Sequence, residues 1–363
     1  MTRNRPNRRA VAGPFPSIAC AVLLLVVGMA ATGPAVAQAF DPSRQEIAAF
    51  IAEVSQRHGF EPGSLAEMIS RAESRPSILA AIAKPAEKTL TWDEYRSKFL
   101  VDRRIQRGVA VHAERQAELE RAESVSGVPA DILLGIVGVE TFYGENTGRH
   151  RVLDALATLA FDYPPRSTFF RDQLEQYLLM AREEQIDPLV PLGSYAGAMG
   201  IPQFMPSSFR NFAVDGDADG RRDLWADWAD VFASVGNYLK LHGWRGGEPV
   251  LVTADATGAN LSGLEGSKLT LDETVGSLRA RGIRFETSLR DDAPAMLVPL
   301  AVASGTEYRV GFRNFYAITR YNRSHMYASA VSDLADAIGR ARAGLPSLPQ
   351  PAQGAPPPFS SGS

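Results

Sequence analysis

The stretch Pro129-Ala-Asp-Ile-Leu-Leu-Gly-Ile-Val-Gly-Val-Glu-Thr-Phe-Tyr-Gly144 decides the fold of this chain. It predicts one buried helix, because apolar residues occupy nearly every side of its surface. Pro129 suits the first helical position, and Gly144 is well placed to end the helix. The carboxyl group of Glu140 lies four residues after Ile136 and continues the apolar stripe.

Glu140 is therefore a candidate acid catalyst. Burying an unpaired charge is costly, so a buried carboxyl group tends to hold its proton and can donate it near neutral pH. The alternative is a Glu at a frayed helix end that faces solvent or pairs with an Arg. The remaining motifs favour the catalyst.

The composition is that of a soluble globular protein. The 363 residues are 45% hydrophobic and 22% charged, and the length suits more than one domain. The formal net charge of −3 gives no basic excess of the kind that nucleic-acid binding requires. A single Cys excludes an internal disulfide and a thiol-type metal site.

Residues 1–37 predict a secretory signal peptide. Four Arg residues precede an apolar run over residues 18–31, which is short for a membrane span, and Ala35-Val36-Ala37 suits a cleavage site. Cys20 precedes most of the apolar run, so we assign it to the discarded peptide. The mature chain is expected to be soluble in the periplasm, and an uncleaved N-terminal membrane anchor is the alternative.

The rest of the chain is predicted to be mainly α with one α+β insertion. Capping boxes at Ser43–Glu46 and Thr91–Glu94, an N-cap at Ser64 and a long charged helix over residues 103–125 are expected first. The predicted organisation is a helical region over residues 38–112, a core over residues 113–247 and 311–326, an α+β insertion over residues 248–310, a C-terminal helix over residues 327–344 that packs on the helical region, and a disordered tail over residues 345–363.

A second motif, Gly193-Ser-Tyr-Ala-Gly-Ala-Met-Gly-Ile-Pro-Gln-Phe-Met-Pro-Ser-Ser208, combines glycines with polar and apolar side chains. Its glycines remove side chains where another group must come close to the backbone. Hydrogen-bonding groups come from Ser194 and Gln203. Apolar faces come from Tyr195, Met199 and Phe204. This mixture suits a sugar, and the alternative is a tight turn between helices that is packed for steric reasons.

The segment Asp215-Gly-Asp-Ala-Asp-Gly-Arg-Arg-Asp-Leu-Trp225 resembles an EF-hand loop. The expected cation ligands are the carboxylates at positions 1, 3 and 5, a backbone carbonyl at position 7 and a downstream carboxylate, which are Asp215, Asp217, Asp219, Arg221 and Asp230. Gly220 allows the sharp turn, but position 12 is Ala226 instead of Glu. A bound cation would be structural, because the loop does not contain Glu140. The alternative is an Asp-Gly turn without metal.

A further cluster over residues 315–327 interleaves aromatic residues with Arg320, Asn322 and Arg323, as carbohydrate grooves and ordinary cores both do. The sequence has no Gly-rich phosphate loop, Gly-x-Ser-x-Gly elbow or His-x-x-x-His pair. The absence of these motifs argues against a Ser or Cys nucleophile and a catalytic zinc, so no cofactor is expected for catalysis.

In their order and spacing, these motifs resemble the lytic murein transglycosylase B family, glycoside hydrolase family 103. The resemblance runs over residues 43–342. Besides the Gly193 and Asp215 motifs, it rests on Gly138-Val-Glu-Thr, Leu153-Asp-Ala-Leu-Ala-Thr-Leu and Thr319-Arg-Tyr-Asn-Arg-Ser324.

The resemblance implies a lysozyme-like core that cleaves the β-1,4 bond between N-acetylmuramic acid and N-acetylglucosamine in peptidoglycan. The product would carry a 1,6-anhydro ring, because the C6 hydroxyl of muramic acid attacks in place of water. Glu140 would act alone as acid and then as base, with support from the substrate's 2-acetamido group. The implied substrate contacts are Ser194, Gln203, Tyr321, Asn322 and Tyr327, with Arg166 and Tyr95 as further contacts.

The resemblance also implies a structural calcium ion at the five loop ligands named above. The expected partners are peptidoglycan glycan strands and cell-wall synthesis proteins, with no nucleic acid, and the chain is expected to be a monomer.

Two alternative functions stay open. A muramidase-type hydrolase would need a second carboxylate, for which Asp154 and Asp162 are the nearest candidates. A non-catalytic peptidoglycan-binding protein would keep the aromatic groove without needing Glu140.

Overall fold

The computed structural model describes residues 38–83, 90–264 and 269–346. The predicted signal peptide and the predicted tail beyond residue 346 lie outside these ranges. Within them, no single helix is long and apolar enough to cross a bilayer. The helices over Gln116–Ser126 and Ala130–Thr141 meet that condition only as a pair, with a bend of 110° between them.

The N-terminal part consists of short helices and a two-stranded antiparallel sheet of β1 and β2. Its elements are β1 (Gln38–Ala39), α1 (Gln45–His58), α2 (Pro62–Ser70), β2 (Glu73–Ser74), α3 (Pro76–Ile82), α4 (Trp92–Ser97), α5 (Asp102–Glu114) and α6 (Gln116–Ser126). The apolar faces of α1 and α2 enter the same core as the rest of the helices.

The helical core follows in the chain. Its elements are α7 (Ala130–Thr141), β3 (His150–Arg151), α8 (Val152–Phe161), a 3-10 turn (Pro164–Arg166), α9 (Ser167–Glu183), β4 (Leu192–Gly193), α10 (Pro206–Phe212) and α11 (Trp228–Leu241). β3 and β4 pair antiparallel, which brings the start of the Gly193 motif beside the start of α8.

A small sheet separates this core from the last two helices. Its elements are β5 (Leu251–Ala254), β6 (Glu273–Thr274), α12 (Val275–Ala280), β7 (Pro294–Val302) and β8 (Gly305–Gly311), and the chain then forms α13 (Arg313–Tyr321) and α14 (His325–Arg342). The strand order is β5-β8-β7-β6, and every pair is antiparallel. One face of the sheet has its own apolar cluster around Val275 and Phe312, while Met296 and Val298 of β7 join the main core.

Helix α7 is the centre of the packing. Helices α5, α6, α11 and α14 lie against it, and its contact with α14 is the most extensive of these. This close approach requires a glycine, because a Cβ on Gly135 would lie 2.7 Å from the backbone oxygen of Val331. The sequence prediction of a deeply buried helix is confirmed.

The two predicted capping boxes have different outcomes. The box at α4 is confirmed, since the hydroxyl of Thr91 accepts the N–H of Glu94 and the carboxylate of Glu94 accepts the N–H of Thr91. The box at the start of α1 is wrong, because the hydroxyl of Ser43 donates to Asp41 instead.

Two other N-terminal predictions are also wrong. At α2 the cap is Glu61 and not Ser64, because the Glu61 carboxylate accepts the first N–H groups of that helix. The long helix predicted over residues 103–125 is broken into α5 and α6 at Arg115, whose φ of −127° is not helical. The break allows both helices to pack against α7.

Candidate active site

Glu140 lies in the last turn of α7. The helix begins one residue after Pro129, which takes the N-cap position, and it ends at Thr141. The next three residues, up to Gly144, all have positive φ values of 53°, 58° and 88°. Two of them are not glycines, and backbone strain of this kind concentrates at functional sites. The helix therefore stops abruptly, immediately after the candidate acid.

The side chain of Glu140 opens into a cavity of about 340 Å³. It is partly exposed, whereas the preceding turns of α7 are buried, so the apolar stripe ends at the cavity. Among the described residues that line the cavity, Glu140 is the only one with a carboxyl group. The others are Ser194, Tyr195, Ala196, Ala198, Gln203, Phe204, Met205, Ser208, Tyr238, Tyr321 and Asn322.

Tyr327 holds the Glu140 carboxyl group from the protein side. Its hydroxyl donates a hydrogen bond of 2.5 Å to Oε1 of Glu140. The ring is 2% exposed, and burial together with the nearby charge of Glu140 raises the pKa of Tyr327 far above its ordinary value. Tyr327 therefore stays protonated and acts as a fixed donor. It does not belong to the cavity lining, although the resemblance implied a substrate contact.

Ser194 and Gln203 line the cavity and are held by backbone groups around them. The Ser194 oxygen accepts the N–H of Ala198 at 3.0 Å, which leaves its hydroxyl hydrogen to donate. The Gln203 amide nitrogen donates to the carbonyls of Thr147 and Gly200 at 3.0 and 2.9 Å. These bonds orient the amide, so its oxygen can accept from a sugar hydroxyl or amide.

Aromatic rings form one wall of the cavity. The centroid of Tyr321 lies 5.7 Å from Phe204, 4.8 Å from Tyr238 and 6.4 Å from Tyr327. Its hydroxyl donates to the carbonyl of Pro202 at 2.6 Å, and burial raises the pKa of Tyr321 well above its ordinary value. The wall is therefore rigid and apolar, as the face of a sugar ring requires.

The other predicted contacts have different positions. Asn322 lines the cavity next to Tyr321. Met199 is fully buried, and Arg166 is exposed with its guanidinium 4.5 Å from the centroid of a neighbouring Phe ring. Tyr95 is buried on α4 and contributes to the raised pKa of Tyr327. Met199, Arg166 and Tyr95 are not part of the cavity lining.

Five residues that also line the cavity were not singled out in the sequence analysis, namely Ala196, Ala198, Met205, Ser208 and Tyr238. Tyr238 lies on α11, where its hydroxyl donates to the carbonyl of Arg320 at 2.6 Å. Its only signal in the sequence is a place on the apolar face of a helix, which any core residue shares.

The two candidates for a second catalytic carboxylate lie outside the cavity lining. Asp154 is 1% exposed on α8 and accepts hydrogen bonds from the guanidinium groups of Arg75 and Arg151. Asp162 accepts a hydrogen bond of 3.0 Å from Arg44. Both carboxylates are thus paired, and they fasten the N-terminal elements to α8.

The Asp-rich loop connects α10 to α11 and brings three carboxylates together. Oxygens of Asp215, Asp217 and Asp230 lie within 4.8 Å of one another. Burial raises the pKa of Asp230 to about 6, and the charges of Asp227 and Asp215 act in the same direction. A cation among these oxygens would offset their repulsion, and oxygen donors of this kind suit calcium.

Backbone N–H groups give this loop its shape. The Asp215 carboxylate accepts the N–H of Gly220 at 2.8 Å, and Gly220 has the positive φ, 91°, that the sharp turn requires. Asp219, which was also predicted to be a ligand, does not belong to the cluster. Its carboxylate accepts the N–H of Arg221 at 2.8 Å.

Comparison with known proteins gives one consistent family. The family model described as a transglycosylase SLT domain matches residues 42–336. The membrane-bound lytic murein transglycosylase B of Escherichia coli (strain K12) is 41% identical over 311 residues, which cover 83% of this chain and 84% of the relative.

Solved structures of lytic transglycosylases agree with this result. Soluble lytic transglycosylase SltB1 from Pseudomonas aeruginosa is 49% identical with a TM-score of 0.76, covering 82% of this chain and 99% of that one. Escherichia coli Slt35 in complex with calcium is 40% identical with a TM-score of 0.76, covering 85% and 97%. SltB3 from Pseudomonas aeruginosa in complex with NAG-anhNAM-pentapeptide is 29% identical with a TM-score of 0.71, covering 80% and 78%.

Proposed function

The chain belongs to the transglycosylase SLT domain family, and we propose that it cleaves peptidoglycan with Glu140 as its only acid–base group. It is a lytic murein transglycosylase, a lyase that acts on peptidoglycan. The single-group assignment rests on one observation, that no second carboxyl group lines the cavity among the described residues. Glycosidases that transfer the sugar to water normally need two such groups.

The proposed reaction breaks the β-1,4 bond between N-acetylmuramic acid and N-acetylglucosamine in two proton transfers. Glu140 first donates its proton to the glycosidic oxygen while the bond from that oxygen to C1 of muramic acid breaks. The oxygen of the substrate's 2-acetamido group supports the positive charge at C1. The carboxylate then takes the proton of the C6 hydroxyl as its oxygen bonds to C1. The product is a 1,6-anhydro ring, Glu140 regains its proton, and no water is consumed.

The surroundings of Glu140 support both roles. Its place in the last turn of α7 is near the negative end of the helix dipole, where an anion is less favourable. The hydrogen bond from Tyr327 acts in the opposite direction, because it stabilises the carboxylate. The environment of Glu140 thus contains one feature that favours each protonation state.

The product identifies the reaction. Purified sacculi are digested, and the released muropeptides are weighed by mass spectrometry. We expect muramic acid ends that lack one water relative to reducing ends. Reducing ends alone would instead support the muramidase-type hydrolase and overturn the proposal.

We predict that Tyr327→Phe lowers kcat by about 10- to 100-fold, because a hydrogen bond to a charged group is worth about 1.5–3 kcal/mol. KM should change little, since Tyr327 does not line the cavity. The readout is steady-state cleavage of a soluble glycan oligomer. The matched control is Tyr177→Phe, which also removes a buried hydroxyl, one that donates to the carbonyl of Pro188 at 2.7 Å. Equal losses in both variants would contradict the role of Tyr327.

We also infer that the Asp-rich loop holds a structural calcium ion. The clustered oxygens of Asp215, Asp217 and Asp230 support this, as does the calcium complex of Slt35, in a chain 40% identical to this one. The EF-hand-like spacing adds Asp219 and the carbonyl of Arg221 to the proposed ligands, and the Asp219 carboxylate, which lies outside the cluster, would move toward the ion. The ion would stabilise the loop and the start of α11, and it takes no part in the chemistry.

Saturating calcium is therefore expected to raise the melting temperature. Calcium at about 100 times its Kd would stabilise the folded chain by about 2.7 kcal/mol, and Asp230→Asn should remove most of this gain. Thermal unfolding with calcium and with a chelator measures both effects. Asp292→Asn, at an exposed carboxylate paired with Arg290, is the control and should keep the full calcium response. An identical response in wild type and Asp230→Asn would exclude this site.

We propose that the chain acts in the periplasm as a soluble protein after cleavage near Ala37. The similar SltB1 is described as soluble, whereas the Escherichia coli relative is described as membrane-bound. Fractionation combined with N-terminal sequencing of the mature protein separates these states. A membrane-associated protein that retains residues 1–37 would establish the anchored alternative.

A further inference from the structure

We propose that Thr141 is a positioning residue for Glu140, acting by fastening the end of α7 to the cavity loop. This inference rests on the proposed role of Glu140. Thr141 is 1% exposed and directly follows Glu140 at the last helical position. Its hydroxyl donates to the carbonyl of Ile201 at 2.8 Å, with the carbonyl of Val137 as a longer second acceptor at 3.3 Å, and it accepts the N–H of Gly144 at 3.0 Å. One side chain thus joins three segments: α7, the strained turn after it, and the cavity loop over residues 200–204.

The Thr141 bonds add a restraint that the backbone cap of α7 does not supply. The N–H groups of Phe142 and Tyr143 donate to the carbonyls of Gly138 and Val137, but these bonds stay within the helix end and do not join it to the cavity loop. Here the chain leaves α7 through three residues with positive φ, and the Thr141 hydroxyl bonds directly to the third of them, Gly144. Successive residues of an α-helix are about 100° apart around its axis. Fixing the backbone at Thr141 therefore also fixes the direction in which the Cα–Cβ bond of Glu140 leaves the helix.

The other partner of Thr141 is itself firmly held. Ile201 donates its N–H to the carbonyl of Leu224 at 2.8 Å, and the neighbouring carbonyl of Pro202 accepts the hydroxyl of Tyr321. The same loop continues into Gln203, which lines the cavity. Thr141 consequently sets the distance between the acid and a wall of the cavity. Without its hydroxyl, that wall and Glu140 could move separately.

Two substitutions at Thr141 test this role. Thr141→Val keeps the shape but removes the hydroxyl, and we expect kcat to fall about 10- to 100-fold with a smaller change in KM, as a misplaced catalytic group produces. Thr141→Ser keeps the hydroxyl, and its kcat should stay within about threefold of the wild-type value.

A purely structural role is excluded by a matched control. Thr158 is also fully buried on a helix, and its hydroxyl accepts the N–H of Arg75 at a distance of 3.0 Å. Neither residue lines the cavity. Thr158→Val should lower the melting temperature about as much as Thr141→Val but keep kcat. A wild-type kcat in Thr141→Val, or equal kcat losses in both Val variants, overturns the inference. Turnover retained in Glu140→Gln would instead overturn the proposed function itself.

Discussion

Glu140→Gln is expected to lower the release of anhydro-muropeptides from sacculi by about 10³- to 10⁴-fold. Glutamine has nearly the same shape and can still accept the hydrogen bond from Tyr327, so the cavity should keep its geometry. It cannot supply a proton to the glycosidic oxygen, and it cannot remove one from the C6 hydroxyl. Both proton transfers are lost together, because one group performs them both.

The time course of muropeptide release, followed by chromatography and mass spectrometry, measures this loss. Glu145→Gln is the matched control, because Glu145 lies just beyond α7, exposed and paired with Arg103 at 2.8 Å. It should keep full turnover. Unchanged melting temperatures show that both variants are folded. Near-wild-type turnover in Glu140→Gln would mean that another group carries the protons.

The mainly α class and the position of Glu140 on a buried helix were predictable because their signals are local. The α7 stretch is apolar on nearly every side, and the mainly α class is confirmed. The lysozyme-like core, which the family resemblance implied, is confirmed by the related structures. The Gly193 motif was equally readable, since glycines, Ser194 and Gln203 stand close together in the sequence. Helix α7, Glu140 on it and the Gly193 motif can each be recognised from a few neighbouring residues.

The arrangement around Glu140 was not predictable, because it depends on tertiary contacts. Tyr327 bonds to Glu140 across 187 positions of sequence, and Tyr238 enters the cavity from α11. Nothing near either residue in the sequence distinguishes a group that contacts the acid from one that contacts the sugar. The family resemblance implied a substrate contact at Tyr327, whereas its burial and hydrogen bond support a role through Glu140.

Local geometry explains the other differences between the predicted and the observed helices. Ser64 and the carboxylate of Glu61 are both chemically able to cap α2, and the backbone angle at Glu61 allowed its longer side chain to reach the N–H groups. The break at Arg115 has no glycine or proline to announce it, and it lets α5 and α6 both reach α7. Packing against a central helix thus overrides an uninterrupted helical pattern.

Gly200→Ala is the second substitution with a large expected effect, because Gly200 lies where the cavity loop meets the Asp-rich loop. Its φ is 67°, and a Cβ would lie 2.3 Å from the carbonyl oxygen of Leu224. That oxygen also accepts the N–H of Ile201, so the backbone cannot move aside without losing a hydrogen bond. We expect a destabilisation of roughly 3–5 kcal/mol from backbone strain and crowding together.

Gly243→Ala separates the two causes. Gly243 has a φ of 92°, but no atom lies within 4 Å of a Cβ built there. This control should lose only about 1–2 kcal/mol, the cost of a left-handed backbone at a residue with a side chain. Urea unfolding measures both values. Catalysis should separate the variants further, because a shift at Gly200 moves Gln203 and Phe204 in the cavity, whereas Gly243 follows α11 and does not line it. Equal destabilisation in the two variants would contradict this prediction. It would show that the backbone at Leu224 shifts to accommodate the added Cβ at little cost in free energy.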